Sequence, residues 1–296
     1  MAYLSMERRP ELHDPIAIVA FAGWNDAASA ATDAARFVVR RLGARKFASI
    51  DSEYFYDFRE TRPLVQMTPG GMREVQWPRN EFFYARNPTG PHDIVVGVGV
   101  EPSLRWKAFT DAHVNLYRDL GVGTVMSLGA LLADVPHTRP TRVTGSAIDP
   151  EVAARLDLTA SRYEGPTGIV GVLHDVLRRS GIAGASLWAN VPHYITTSSN
   201  PMATAALLSR LQEVVGLAFD LRELEIAGER FVSEVNTALA GNPEIAEYVR
   251  RLEEQADANP GEEPEEDLPA SEDVLMDVEE FLRSQREDDD EDTDEA

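Results

Sequence analysis

Four short runs, apolar almost throughout and each closed by a turn, constrain this chain most. They are Ile16-Ala-Ile-Val-Ala-Phe-Ala-Gly23, Asp93-Ile-Val-Val-Gly-Val-Gly-Val100, Val122-Gly-Thr-Val-Met-Ser-Leu128 and the run from Ala185 to Val191. A strand with one wet face alternates apolar and polar residues, whereas a strand covered on both faces can be apolar throughout. Helix-type segments stand between these runs. Ala27 to Leu42 contains no glycine or proline, places Ala31, Ala35, Val38 and Leu42 on one face, and can be capped by Asn25 or Asp26. Leu104 to Leu120, Pro166 to Ser180 (closed by Gly181) and Asn200-Pro201 to Leu217 are read in the same way. Strands alternating with helices predict an α/β fold, a three-layer α/β/α sandwich around a parallel or mostly parallel central sheet.

The remaining segments are less regular. Phe47 to Phe58 reads as a further strand ending in an aromatic run, Tyr54, Phe55, Tyr56 and Phe58. Arg62 to Arg86 is broken by Pro63, Pro69-Gly70-Gly71 and Pro78, with a hairpin expected between Glu74–Trp77 and Phe82–Tyr84. Arg142 to Ser146 is another extended piece, and Asp149-Pro150 opens a short helix to Leu156. Beyond Asp220, Leu221, Leu224, Phe231, Val235 and Leu239 recur at helical spacing, and Ile245, Val249 and Leu252 suggest a second helix. The expected organisation is a core domain over 1–220, a helical extension over 221–258 and a tail over 259–296. The tail is expected to be largely disordered, apart from a short amphipathic helix with Val274, Val278, Phe281 and Leu282.

The net charge of -22 is unevenly spread: 23 of the 50 acidic residues but only 4 of the 28 basic ones lie beyond Pro243. The body is nearly neutral. The tail reads as a solvated extension or as a contact for a basic partner; nucleic-acid phosphate, being of like charge, is not an expected ligand. There is no cysteine, so disulfides, thiolate metal sites and a cysteine nucleophile are excluded, in keeping with a reducing compartment. Met1 to Pro15 shows no signal-peptide pattern, and the longest apolar run falls far short of the ~20 residues that span a bilayer. A soluble, cytoplasmic protein without a membrane partner is expected.

Motifs for chemistry are few. Gly97-Val-Gly99 follows a strand, but position 102 is proline, Glu101 would oppose a pyrophosphate, and no acidic residue ends the next strand. These glycines are read as packing devices. Glu101 and Arg105 stand four apart as a helix begins and form either a local ion pair or, with Trp106, a wall of a site. Asp26, on the first strand–helix turn, has the same two readings. His137, His174 and His193 lack metal spacing. His174 suits a packed helix position, while His137 and His193 each follow Val-Pro and can serve a hydrogen-bonding or pH-sensitive role. The nucleophile elbow of a serine hydrolase is absent around Ser127 and Ser161. In Tyr163-Glu-Gly-Pro-Thr-Gly168 the free amides of a helix start, with the Thr167 hydroxyl, could hold an anion, though Glu164 argues against bare phosphate; the other reading is a capped helix packed on the Trp188 strand. No cofactor and no metal are expected.

Taken in order, Gly23-Trp-Asn-Asp26, Glu101-Pro with Arg105-Trp106, Leu128-Gly-Ala-Leu-Leu-Ala-Asp-Val-Pro-His-Thr-Arg-Pro140, Tyr163-Glu-Gly-Pro-Thr-Gly168 and Trp188-Ala-Asn-Val-Pro-His-Tyr194 resemble the proteasome assembly chaperone 2 family, in its actinobacterial-type branch. The resemblance covers roughly residues 15 to 240. It implies a phosphorylase/hydrolase-like fold, a homo-oligomer with a trimer favoured, and a protein partner such as the proteasome core. Relatives of this kind often dock through a C-terminal hydrophobic residue, tyrosine and any residue; this chain ends Thr293-Asp-Glu-Ala296, so that route is not expected. Two functions follow. One is a non-enzymatic assembly or interaction protein. The other is a small-molecule binder or enzyme with nucleoside-phosphorylase-like architecture, or an ATP-dependent ligase. For either, the candidate residues are Asn25, Asp26, Glu101, Arg105, Trp106, His137, Tyr163, Glu164, Thr167, His193 and Tyr194, and their turns are expected to share one rim of the sheet.

Overall fold

A computed structural model of the chain describes residues 3–87, 90–161 and 163–258. In chain order the elements are β1 (Leu4–Met6), β2 (Ile16–Ala22), α1 (Ala30–Arg41), β3 (Arg45–Ile50), β4 (Leu64–Met67), β5 (Arg73–Gln76), β6 (Asn80–Ala85), β7 (Ile94–Val100), α2 (Trp106–Leu120) and β8 (Thr124–Ala133). There follow β9 (Val143–Ala147), α3 (Pro150–Arg155), β10 (Thr159–Ala160), α4 (Ile169–Arg179), β11 (Ala183–Pro192), α5 (Pro201–Val215), α6 (Arg222–Leu239) and α7 (Pro243–Ala258). Among the described residues one nine-stranded sheet runs β1-β3-β6-β7-β2-β8-β11-β9-β10. The four apolar runs form its centre, β7-β2-β8-β11, and these strands are parallel. Toward either edge the next strands are antiparallel to this centre, β6 against β7 and β9 against β11.

The central strands are apolar throughout because both faces are covered. Ile18 and Ala20 of β2, with Met126 and Leu128 of β8 and Leu187 of β11, enter one core beneath α1, α3 and α5. Their neighbours Ala17, Val19, Phe21 and Val125 enter the other, beneath α2 and α4. This is the period-2 alternation of a strand, with apolar side chains at both phases. The alanines of α1, Ala30, Ala31, Ala34 and Ala35, are fully buried; short side chains let this helix lie close to the sheet. Asn200 caps α5 by accepting from the Ala203 amide at 3.1 Å, and Asp149 caps α3 from the Glu151 amide at 2.8 Å. A third, smaller cluster lies apart from both cores: Phe231, Val235, Ile245, Val249 and Leu252 of α6 and α7 close on Tyr194 and Ile195.

Several segments differ from the sequence reading. Phe47 to Phe58 is not one strand. β3 stops at Ile50, where the Asp51 carboxylate accepts from the Glu53 amide at 3.1 Å and turns the chain. The aromatic run folds back on the second core, with the Phe55 and Phe109 rings 5.3 Å apart and the Tyr56 hydroxyl donating to the Val100 carbonyl at 2.5 Å. The expected hairpin pairs differently: β5 meets β4 and not Phe82–Tyr84, because Pro69-Gly70-Gly71 makes the turn, with Gly71 at φ +75°. Phe82 is instead buried in the main sheet on β6. Helix α4 begins at Ile169, three residues after Pro166. The edge strand β1 and the two-residue β10 were too short to leave a periodicity. The expected amphipathic segment at 271–284 and the chain end at Thr293–Ala296 lie outside the described residues.

Candidate functional site

Because β2, β7, β8 and β11 run parallel, the turns that follow them emerge at one edge of the sheet, its carboxyl rim. Asn25, Glu101, His137 and His193 all sit there. Their surroundings divide that rim in two.

At the β2/β7 end, Gly23 leaves β2 with φ +132°, and a Cβ there would press on Glu101. Trp24 then points to solvent while Asn25 and Asp26 turn inward. The Asp26 carboxylate accepts from the Ala31 amide (2.8 Å), the Thr32 amide (3.2 Å) and the Thr32 hydroxyl (2.6 Å). Burial raises its pKa, and these hydrogen bonds oppose that rise. Asp26 therefore secures the first turn of α1. Reaching it requires Ala28 and Ser29 to adopt left-handed backbone, at φ +48° and +53°. Glu101 accepts from the Ile169 amide at 2.7 Å and from the Asn25 side chain at 3.4 Å. The chain thus supplies its own carboxylate to the helix start proposed for an external anion. Gly168 is needed at that junction, since a Cβ would collide with both Asn25 and Glu101.

The local ion pair expected between Glu101 and Arg105 does not form. Glu101 faces α4, while Arg105, itself left-handed at φ +56°, lies 6.0 Å from the centre of the Tyr54 ring. The Trp106 indole N–H donates to the Pro102 carbonyl at 2.6 Å. Beside these residues an open cleft of about 400 Å³ is lined by Gly23, Glu60, Thr61, Glu101, Ser103 and Trp106. Large apolar side chains are exposed near it, Trp24, Tyr54, Leu104 and, on the adjoining hairpin, Val65, Met67, Val75 and Trp77, among exposed charges such as Arg59, Glu60 and Arg105. Tyr163 and Glu164 are exposed on the loop before α4, the Tyr163 hydroxyl donating to the Pro166 carbonyl at 2.8 Å. The Thr167 hydroxyl donates to the next carbonyl at 3.4 Å, and Gly171 leaves room for its side chain.

At the β8/β11 end His137, His193 and Tyr194 are covered, while Asp134 stays exposed beside them. The His137 backbone N–H donates to the Tyr194 hydroxyl at 2.9 Å, and that hydroxyl lies 2.8 Å from His137 Nδ1. With the Tyr194 hydroxyl donating a hydrogen bond to Nδ1, Nε2–H can donate to Asn236 Oδ1 at 3.1 Å, an arrangement that suits a neutral imidazole. Burial accordingly lowers the His137 pKa. His193 Nδ1 lies 3.0 Å from Asp134 and its Nε2 is buried without a partner among the described residues. The Tyr248 hydroxyl donates to the same Asp134 at 3.2 Å, and its ring sits 5.9 Å from that of Tyr194. Arg139 pairs with Asp257 at 2.8 Å and Glu253 at 3.3 Å, and the Thr138 hydroxyl donates to Glu253. These contacts clasp α6 and α7 to the rim. Asp134, Asn236 and Tyr248 escaped sequence reading because each is an ordinary helix or loop residue whose partner is distant in the chain.

A buried Ser127–His174 pair, 2.8 Å between Oγ and Nε2, also escaped notice. Both residues are enclosed between β8 and α4, and burial pushes the His174 pKa down to about 4. No substrate reaches this hydroxyl, so the pair is a core contact. Among the described residues no cluster of three metal-ligating side chains occurs, and no helix is long and apolar enough to cross a membrane.

Comparison with known proteins gives the family. A profile described as PAC2 family matches residues 20–239. The chain belongs to the PAC2 family. A PAC2 family protein from Streptomyces avermitilis is 42% identical, with a TM-score of 0.74 over 80% of this chain and 100% of that one. A Mycobacterium tuberculosis proteasome-assembly chaperone homologue is 40% identical, with a TM-score of 0.71 over 79% of this chain and 99% of that one. PbaB of Pyrococcus furiosus, an archaeal proteasome activator, shares the fold at 19% identity, with a TM-score of 0.64 over 79% and 97%. No match to a curated protein was found by sequence.

Proposed function

We propose that this chain is a non-enzymatic, proteasome-assembly-chaperone-like interaction protein of the cytoplasm, working as a homo-oligomer on a protein partner, with proteasome core subunits as the candidate. One observation carries this reading. At the β2/β7 end of the rim the Asp26 and Glu101 carboxylates are spent on the chain's own helices, while the large apolar side chains Trp24, Tyr54 and Leu104 are left in solvent among exposed charges such as Glu60 and Arg105. An apolar patch with a polar surround suits a protein contact better than a reaction. The names of the Mycobacterium tuberculosis and Pyrococcus furiosus relatives support the choice of partner.

The test is co-expression with proteasome core α and β subunits, followed by co-purification, with light scattering to count the copies. Retention of the chain by core subunits, and its loss from Trp24→Glu with Leu104→Glu, is the expected result. Failure of the wild-type chain to associate with any core subunit overturns the reading. The 400 Å³ cleft supports the second reading, a small-molecule binder. Thermal-shift measurements with nucleosides, nucleotides and phosphate test it: a ligand at 100 times its Kd adds about 2.7 kcal/mol of stability, and no shift with any of them removes it.

A further inference from the structure

The β4–β5 hairpin stands outside the main sheet, and its two faces differ. Residues opposite one another across an antiparallel pair share a face. Val65 opposes Val75 and Met67 opposes Arg73, so these four line one side; Leu64, Gln66, Glu74 and Gln76 line the other. Trp77, two residues beyond Val75, continues the first side. Val65, Met67, Val75 and Trp77 are all exposed, at 46% or more. One face is therefore apolar, with Arg73 as the single charge among its paired residues. An isolated two-stranded hairpin is marginal in water, so a face of this kind calls for a cover.

The chain carries a segment that fits. Residues 271–284 lie outside the described residues, but their sequence spaces Val274, Val278, Phe281 and Leu282 at helical intervals among Asp273, Asp277, Glu279 and Glu280. An apolar stripe edged with carboxylates complements an apolar face holding one arginine. The tether is suitably placed. Asp257, next to the end of α7, is bound to Arg139 in the loop after β8, at the carboxyl rim. The base of the hairpin is at the same rim, where the Thr61 and Ser103 hydroxyls are 3.5 Å apart and the Phe58 ring packs on Trp77 at 4.8 Å. The stretch from Ala258 to Val274 can reach at most roughly 50 Å. Such a tether gives an effective concentration on the order of millimolar.

We propose that residues 271–284 pack against the Val65–Met67–Val75 face of the hairpin in the same molecule, with their carboxylates beside Arg73. The chain lacks cysteine, so an engineered pair is unambiguous. The full chain with Val65→Cys and Val278→Cys, oxidised at low protein concentration, should form a disulfide within one chain at least tenfold faster than the control pair Val65→Cys and Thr293→Cys. In a second measurement, Phe281→Asp with Leu282→Asp should speed amide exchange across residues 64–67 and 73–76 at least tenfold while leaving the melting temperature unchanged. Equal oxidation of the two cysteine pairs, or unchanged exchange, overturns the proposal. A disulfide found only between two chains also overturns it and assigns the face to another copy. Neither measurement involves a partner, so the result stands apart from the function proposed above.

Discussion

At the β8/β11 end of the rim, His137, His193 and Tyr194 disappear beneath α6 and α7; at the β2/β7 end, Trp24, Tyr54 and Leu104 stay in water beside an open cleft. Both ends follow parallel strands of one sheet, and both motifs stood out in the sequence for the same reason, a polar turn after an apolar run. What separates them lies farther along the chain. The helices that cover one end begin thirty residues downstream of β11. A polar turn at a strand end thus marks where a chain can bind something, and that something includes another part of itself.

If the covered end is structural, truncating its centre should cost the most stability. Tyr194→Ala removes a buried ring from the small third cluster and should cost about 3–5 kcal/mol, read by denaturant unfolding. It should also expose α6 and α7 to limited proteolysis. A loss below about 1 kcal/mol would mean that these helices are not held through Tyr194. Next in size are the two structural carboxylates of the open end. Asp26→Ala and Glu101→Ala each leave backbone amides of a helix start without their acceptor, and should each cost about 1–3 kcal/mol.

Acid should act on the buried imidazoles. His113 and His174 are pushed down to about 4 by burial, and His137 is also lowered. A histidine whose folded pKa lies below its unfolded value of about 6.5 binds fewer protons in the folded state, so stability rises with pH. Its contribution is complete above the unfolded pKa and is lost as pH falls from there toward about 4. Melting temperature measured from pH 7.5 to 4.5 should therefore fall steadily on the acid side, and His137→Gln should soften the slope. The smallest change in stability, within about 0.5 kcal/mol, is expected for Trp24→Glu and Leu104→Glu, because exposed positions carry little folding energy. Their effect should appear in partner binding instead.

The central sheet was legible because strands covered on both faces leave an unbroken apolar signature; Ile16–Ala22 and Ile94–Val100 are examples. Asp149 and Asn200 announced their helices because a capping side chain acts within three residues of itself. The misread elements share a different cause. The Tyr54–Phe58 run is as apolar as a strand, but Asp51 turns it, and its partner Phe109 is some fifty residues away. The Glu74–Trp77 segment could pair with either neighbour, and the Pro69-Gly70-Gly71 turn decided for Leu64–Met67. At the rim the residue types were readable but not their employment. Of the two readings for Glu101, the ion pair with Arg105 four residues on does not form; its carboxylate serves Ile169 across the molecule, and Glu101 and Trp106 line the cleft.

The division of the rim is tested most directly by titrating purified proteasome core subunits with three full-length chains: wild type, Trp24→Glu with Leu104→Glu, and Asn236→Ala. The account predicts that the double substitution weakens binding at least tenfold at an unchanged melting temperature, while Asn236→Ala binds as wild type does. Wild-type binding by the double variant, with binding abolished by Asn236→Ala, would contradict it.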